Sequence, residues 1–246
     1  LTEEQLAEED APDLETIRAS VEEKLQGTDE FGEAWQIYVY RLKDGARASL
    51  GQGRMTAASL IKLYIMGAVY SSYDDITASN GQEEVDKLLN AMITVSDNDS
   101  ANTLVGMLGN GNDAAGQEAV NTYCKNNGYT DTSMGRMLLE KASANENYTS
   151  ARDCSVFLKN IYENKLEHSE DMLNLLKQQT RIEKIPKGVP AGVETANKTG
   201  ELDHVENDAA IVFDGENPYI ICVMADNLSD TTEARQRIVD ISSVVY

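Results

Sequence analysis

A chain of 246 residues with 41% apolar and 26% charged residues is long enough to bury a core, and its composition excludes a disordered acidic tail. Forty-two acidic residues against 21 basic ones leave a formal net charge of −21, which argues against nucleic acid and anionic membranes as partners, because both require clustered Lys and Arg. Three widely spaced cysteines (Cys124, Cys154, Cys222) and two histidines (His168, His204) give neither a disulfide framework nor a zinc ligand set, so no metal and no cofactor are expected.

In chain order, residues 1–33 form an acidic flank with twelve acids against two bases, and Leu14, Ile17, Val21 and Leu25 give its second half helical spacing. Residues 35–42 predict a strand with Trp35, Ile37 and Val39 on one face, an Asp44-Gly45 turn and a return strand over 47–50. Residues 59–70 are apolar nearly all round, which predicts a buried helix. Residues 82–94 predict an amphipathic helix through Val85, Leu88, Leu89, Met92 and Ile93. Further helices are predicted over 101–108, 113–126 (ended by Gly128), 151–163 (a capping box of Ser150 and Asp153) and 170–178 (Ser169 as N-cap). Pro186, Gly188, Pro190 and Gly192 mark 181–192 as a loop. Strands over 193–199, 208–213 and 219–225 follow, with Cys222 read as a buried structural thiol, and 231–244 predicts a last helix.

This order predicts an α+β fold in one domain over 1–246. Strands from both chain ends join in an antiparallel sheet flanked by helices, with an all-helical lobe inserted at about 71–180 and an α/β lobe from 34–70 and 181–246. A site is expected in the crevice between the lobes. No stretch approaches the roughly 18 apolar residues that a membrane span requires. The first residue is Leu1, and no signal peptide is visible. The expectation is that an upstream signal or anchor segment is missing and that the protein is secreted, extracytoplasmic or anchored at the cell surface.

Three short motifs fall in order: Ser59-Leu60-Ile61-Lys62, Ser96-Asp97-Asn98 and Lys198-Thr199-Gly200. Alone, Ser59 reads as a helix cap, Ser96-Asp97-Asn98 as a turn and Lys198-Thr199-Gly200 as a strand end. Together in this order they have a chance probability of about one in 10⁴ at equal residue use, which reverses those readings. The chemistry is coherent. Ser59 is a weak nucleophile until a base takes its proton, and Lys62, three residues on, shares its helix face. Burial and the second cation Lys198 would both depress the Lys62 pKa. Ser96 can relay a proton to a leaving nitrogen, Asn98 can hold a substrate amide, and Lys198 and Thr199, with Gly200 beside them, can hold a substrate carboxylate. The backbone N–H groups of Ser59 and Glu201 can form an oxyanion hole.

The trio resembles that of class A β-lactamases and penicillin-binding proteins. The resemblance extends over about residues 14–246 and includes SDNDSANTL from Ser96 and KTGELDHVENDAAIV from Lys198. It implies a serine acyl-transferase that recognises penicillin. Ser59 would be the nucleophile, Lys62 the base, Ser96 the proton shuttle, Asn98 the amide anchor, and Lys198 with Thr199 the carboxylate site. The family's omega loop carries a glutamate and an asparagine that place the deacylating water. Here the matching stretch, RMLLEKASANEN from Arg136, is shorter, and Leu138 stands where the glutamate would align. Glu140 and Glu146 are the nearby carboxylates that could substitute, against a reading of both as solvated surface. The family's arginine on the strand after K-T-G is absent, with Glu206 before Asn207-Asp208, and His204 reads as an exposed loop residue rather than a wall of the site.

Acylation has its full residue set, whereas deacylation lacks its base, so a lactam ester would persist. Three functions follow: a β-lactamase-like hydrolase with slow deacylation, a peptidase or transpeptidase acting on D-Ala-D-Ala stems, and a lactam or muropeptide receptor without efficient turnover. The expected partner is a β-lactam or a peptidoglycan stem peptide, and the chain is expected to be a monomer. Either ligand carries a carboxylate. Arg181, Lys184, Lys187 and Lys198 exceed Glu183 and Glu194 over 181–198, so the local charge favours it although the whole molecule is acidic.

Overall fold

The computed structural model describes residues 14–29, 32–141 and 145–246; the acidic lead before Leu14 and residues 142–144 of the omega-loop stretch lie outside the described residues. Strands β1 (Ala34–Arg41), β2 (Arg47–Leu50), β5 (Glu194–Leu202), β6 (Val205–Phe213) and β7 (Tyr219–Asp226) form one antiparallel sheet in the order β2-β1-β7-β6-β5. Chain-terminal segments thus meet in the middle of the sheet, with Tyr38 of β1 opposite Cys222 of β7, and β5 is left as an edge. A small ribbon pairs β3 (Met55–Thr56) with β4 (Tyr148–Thr149).

The helices are α1 (Glu15–Lys24), α2 (Ile61–Tyr70), α3 (Tyr73–Asn80), α4 (Gln82–Thr94), α5 (Asn98–Leu108), α6 (Asp113–Asn126), α7 (Ala151–Tyr162), α8 (Ser169–Lys177), α9 (Ile185–Gly188) and α10 (Thr231–Val245). Among the described residues, no helix is long and apolar enough to cross a membrane.

The period-2 alternation of the strands divides the core in two. Tyr38, Ala196, Ala209, Ile211, Ile220, Cys222 and Met224 face the helical lobe. Ile37, Val39, Ala210, Val212, Ile221 and Val223 face the other way, onto Val21 of α1 and Ile238 and Ile241 of α10. All ten residues of α2 are buried, which accounts for its lack of a polar face, and it runs through the centre of the first core.

Several elements differ from the sequence reading. Helix α3 was not expected; only Ile76 of its eight residues is buried, so it carries no apolar period. Helix α5 begins at Asn98 rather than at 101, because the Asp97 carboxylate accepts the Ser100 N–H at 2.7 Å and caps it. Ser169 is not the N-cap of α8. That place falls to His168, in the left-handed region with φ 59°, while the Ser169 hydroxyl turns back to the Leu166 carbonyl at 2.7 Å. The 181–192 loop contains the single turn α9, and β5 and β6 extend to meet in a hairpin. His204 sits exposed in that hairpin, its Nδ1 2.7 Å from the Leu228 carbonyl oxygen.

The Ser150–Asp153 box is half formed. The Ser150 hydroxyl accepts the Asp153 N–H at 3.1 Å, but the Asp153 carboxylate points inward. Its Oδ2 accepts from Thr132 at 2.8 Å and from the Asp131 N–H at 2.9 Å. Oδ1 has no hydrogen bond and lies 3.5 Å from Arg152 Nη1. Burial pushes this carboxyl up to about 6. The native state then holds the proton more tightly than the unfolded chain, so Asp153 costs stability as pH rises from about 4 to about 6, and the full cost is present above that. Asp153→Asn is expected to stabilise the protein at pH 8 by up to about 3 kcal/mol in urea unfolding, with the gain vanishing below pH 4. An equal gain at both pH values would exclude the titration as its cause.

Candidate active site

The turn entering α2 carries Ser59. Ala58, immediately before it, is held at φ 47°, and the one-turn 3₁₀ segment Ala58–Leu60 aims the Ser59 side chain out of the core. The turn is tied to the sheet from behind. Asn207 of β6, fully buried, donates through Nδ2 to the carbonyls of Thr56 (3.0 Å) and Ala57 (3.1 Å) and accepts the Ala225 N–H at 3.2 Å. Edge strand β5 passes in front. A Cβ on Gly200 would stand 2.8 Å from the Ala57 carbonyl oxygen and 3.1 Å from the backbone N of Ser59, so only glycine lets the strand come this close to the nucleophile turn. Glu201, whose N–H is the other candidate oxyanion donor, is the next residue on the strand.

One helical turn beyond Ser59, as the second residue of α2, Lys62 reaches four oxygens. Its Nζ lies 2.7 Å from the Ser96 carbonyl oxygen, 2.7 Å from Asn98 Oδ1, and 3.0 Å from each of Ser59 Oγ and Ser96 Oγ. The first two can only accept. A neutral amine satisfies both with its two N–H groups, and its lone pair is left for a hydroxyl that can donate, either Ser59 or Ser96. Burial, then the charge of Arg181, push Lys62 down to about 7 against the pull of Asp97. Proton acceptance from Ser59 is therefore within reach at neutral pH.

Ser96 bridges to the sheet lobe: its Oγ also accepts from Lys198 Nζ at 2.9 Å, and Lys198 donates to the Thr199 carbonyl at 2.8 Å. Ser96 holds φ 62°, a second strained residue in contact with Lys62. Lys198 is fully buried and lies well below the ordinary lysine range, through burial first and then the charges of Lys62, Arg181 and Lys184. The geometry thus strings Ser59 Oγ, Lys62 Nζ, Ser96 Oγ and Lys198 Nζ along a chain of contacts no longer than 3.0 Å. Proton movement between Ser59 and Ser96 needs no water along that line. Thr199 is buried beside Lys198 on β5. Among the described residues, no three His, Cys, Asp or Glu side chains converge as a metal site would require.

Below the site, the omega-loop stretch is pinned at three points. Arg136 pairs with Glu146 through Nε–Oε1 at 2.8 Å and Nη2–Oε2 at 3.1 Å. Asn147 Oδ1 accepts the N–H groups of Gly135 and Arg136. Asn102 of α5 clamps Leu138, donating to its carbonyl at 2.9 Å and accepting its N–H at 2.8 Å. The expectation for Glu146 as solvated surface fails: it is half-buried and forms both salt-bridging contacts to Arg136, which fixes the neck of the loop. Glu140 is exposed, and its Oε2 accepts the Met137 N–H at 3.2 Å.

Sequence reasoning missed two positioning residues, Asn102 and Asn207. Asn102 could have been found, since it lies one helical turn beyond Asn98 on the same face. Asn207 could not, because its role depends on tertiary approach to the Thr56 and Ala57 carbonyls. Glu206, before Asn207-Asp208 on β6, is buried and ion-paired to Lys184 (2.9 Å) and Arg235 (2.7 Å).

A five-stranded sheet, a helical lobe and a serine–lysine site in the crevice between them define the β-lactamase fold and its class of serine enzymes. A sequence profile of the beta-lactamase enzyme family matches residues 74–246, more than two-thirds of the chain, and the chain belongs to that family. The match begins after Ser59 and Lys62, but the structural likenesses span nearly the whole molecule. PBP-A superposes with a TM-score of 0.82 at 21% identity, covering 96% of both chains. A β-lactamase from Sphaerobacter thermophilus gives 0.78 at 22% identity, covering 92% of this chain and 95% of that one. A leucine-to-glutamate variant of PBP-A, solved as an acyl-enzyme complex with penicillin G, gives 0.81 at 20% identity, covering 95% and 96%. No curated protein matches the sequence.

Proposed function

We propose that the protein is a serine acyl-enzyme hydrolase that attacks β-lactams or related acyl-D-Ala amides through Ser59 and deacylates slowly. The observation that carries this reading is the Lys62 amine, 3.0 Å from Ser59 Oγ with its pKa pushed down to about 7. Neutral Lys62 takes the Ser59 proton as Oγ attacks the carbonyl carbon. The tetrahedral oxyanion meets the N–H groups of Ser59 and Glu201. Ser96 passes a proton to the leaving nitrogen as the C–N bond breaks, and Lys62 restores the proton to Ser96. Asn98 holds the acyl amide; Lys198, Thr199 and Gly200 line the place of the substrate carboxylate. An extracytoplasmic location would fit such a substrate.

Slow deacylation follows from Leu138, an apolar side chain at the position where the resemblance would align the water-activating glutamate. Glu146 cannot replace it while ion-paired to Arg136, and Glu140 points away into its own turn. The same observation favours a second reading, a D,D-peptidase or transpeptidase that lactams inhibit. That PBP-A, whose variant forms a penicillin acyl-enzyme, shares the fold supports either. Incubation with benzylpenicillin is expected to add the full mass of the lactam to the intact protein, and Ser59→Ala to abolish the adduct. An unmodified wild-type mass with no hydrolysis of a chromogenic cephalosporin would refute acylation. An adduct that lasts hours, together with release of D-Ala from a stem peptide, would decide for the peptidase.

A further inference from the structure

A second cavity, of about 750 Å³, lies outside the catalytic cleft, and none of Ser59, Lys62, Ser96 and Lys198 lines it. It is a groove bounded by the end of α3, one face of α5, the turn into α6 and the loop stretch from Met137 to Glu140. That size is ordinary for a small-molecule site. The loop wall is held in place, because Asn102 of α5 fastens Leu138 through both its N–H and its carbonyl.

Gly106 lines the groove from the last turn of α5, where its backbone is helical. Glycine in a helix costs stability, and here the packing does not demand it. A Cβ at this position would meet only the Asp113 carboxylate, at 3.5 Å from Oδ1, which is an ordinary contact. Gly116 of α6 is the contrast, since a Cβ on it would collide with the Val105 carbonyl. What the missing side chain at 106 does is leave the groove open.

The lining is rich in acceptors. Thr103 spends its hydroxyl hydrogen on the Asp99 carbonyl at 2.8 Å, and Asn80 turns its amide nitrogen to the Ile76 carbonyl at 2.9 Å, which leaves the side-chain oxygen of each as an acceptor. Asp113 and Glu140 add two exposed carboxylates. Glu140 accepts the Met137 N–H, and among the described residues the Asp113 carboxylate has no hydrogen-bond or ion-pair partner. No Lys or Arg among the described residues lines the groove. A ligand that satisfies this set brings donors and positive charge. We propose that the groove binds an amino sugar, a protonated primary amine on a hydroxylated ring, with Asp113 and Glu140 drawing the ammonium and Asn80 and Thr103 accepting from ring hydroxyls. The volume has room for the ring, whereas a bare amine would leave most of it unfilled. The inference does not depend on acylation of Ser59.

Amide chemical shifts of the isotope-labelled protein, followed at about 0.15 M salt to screen distant charges, test this with D-glucosamine and its neutral counterpart N-acetyl-D-glucosamine. Glucosamine is expected to give saturable shifts at Thr103, Gly106 and Glu140, and N-acetylglucosamine to bind about tenfold more weakly or less. Asp113→Asn combined with Glu140→Gln is expected to weaken glucosamine by about tenfold or more and to leave the neutral sugar unchanged. Gly106→Leu, which fills the groove, should abolish binding of both sugars. Its melting temperature shows whether the fold is kept; if it is not, the doubly substituted protein, altered only at exposed side chains, carries the test. Absent or non-saturable shifts with glucosamine, equal affinity for the two sugars, undiminished glucosamine binding in the doubly substituted protein, or full binding by a folded Gly106→Leu protein would each overturn the proposal.

Discussion

Lys62→Met is expected to slow acylation of Ser59 by benzylpenicillin by about 10³-fold or more, because it removes the base and leaves the shape and burial of the side chain nearly unchanged. The wild-type pH profile carries the complementary result. Lys62 accepts a proton only when neutral, so the acylation rate should rise with pH through about 7 and level off above it. At pH 5.5 it should lie about 30-fold below the plateau. A flat profile between pH 5 and pH 9, or a Lys62→Met protein acylated within tenfold of wild type, would remove Lys62 from the role of base. Thermal unfolding distinguishes a lost base from a lost fold. Methionine removes a penalised buried amine but leaves the Ser96 carbonyl and Asn98 Oδ1 without their Lys62 donor, so the melting temperature should fall modestly while unfolding stays cooperative.

Leu138→Glu is expected to shorten the life of the benzylpenicillin adduct by about 10²-fold and convert single modification into turnover. Leu138 is 7% exposed, and Asn102 holds it through main-chain atoms alone, so the side chain can change without undoing the clamp. Asn102 stands one turn from Asn98 on α5, and Asn98 touches Lys62, so the Asn102 clamp hangs residue 138 from the helix that carries the site's amide. The apolar surroundings would raise its pKa, which suits a base working near neutrality. Leu138→Gln is the control: it matches the shape without the basicity, and its adduct should persist as in wild type. Equal lifetimes in the two variants, with both still folded by melting temperature, would show that a misplaced water rather than a missing base limits deacylation.

The parts of the site legible in the sequence are those written in local spacing. Ser59 and Lys62 share a helix face at i and i+3, and the alternation on β5 fixes Lys198 and Gly200 to one side of the strand, whatever the rest of the chain does. The buried helix around Lys62 was equally plain, because an apolar run with no polar face has one solution. What failed was whatever depends on partners distant in the chain. Helix α3 presents one buried residue and so no periodic signal. Glu146 reads as surface until its loop closes and brings Arg136 to it. Arg181 reads as one more charge in a proline- and glycine-rich stretch, and only the fold pairs it with Glu201 of β5.

The tether from Asn207 and the close pass of Gly200 have a consequence for how the molecule can diverge. Together they weld the nucleophile turn to the sheet, so that wall of the cleft cannot be reshaped without moving Ser59 itself. The opposite wall is hung from three detachable fastenings: the amide clamp at Leu138, the Arg136–Glu146 ion pair at the neck of the loop, and the Asn147 side chain that accepts the Gly135 and Arg136 N–H groups. Substitutions and insertions there can change what happens to the ester after it forms, and leave its formation untouched. One scaffold can thereby drift between keeping and releasing the same acyl group.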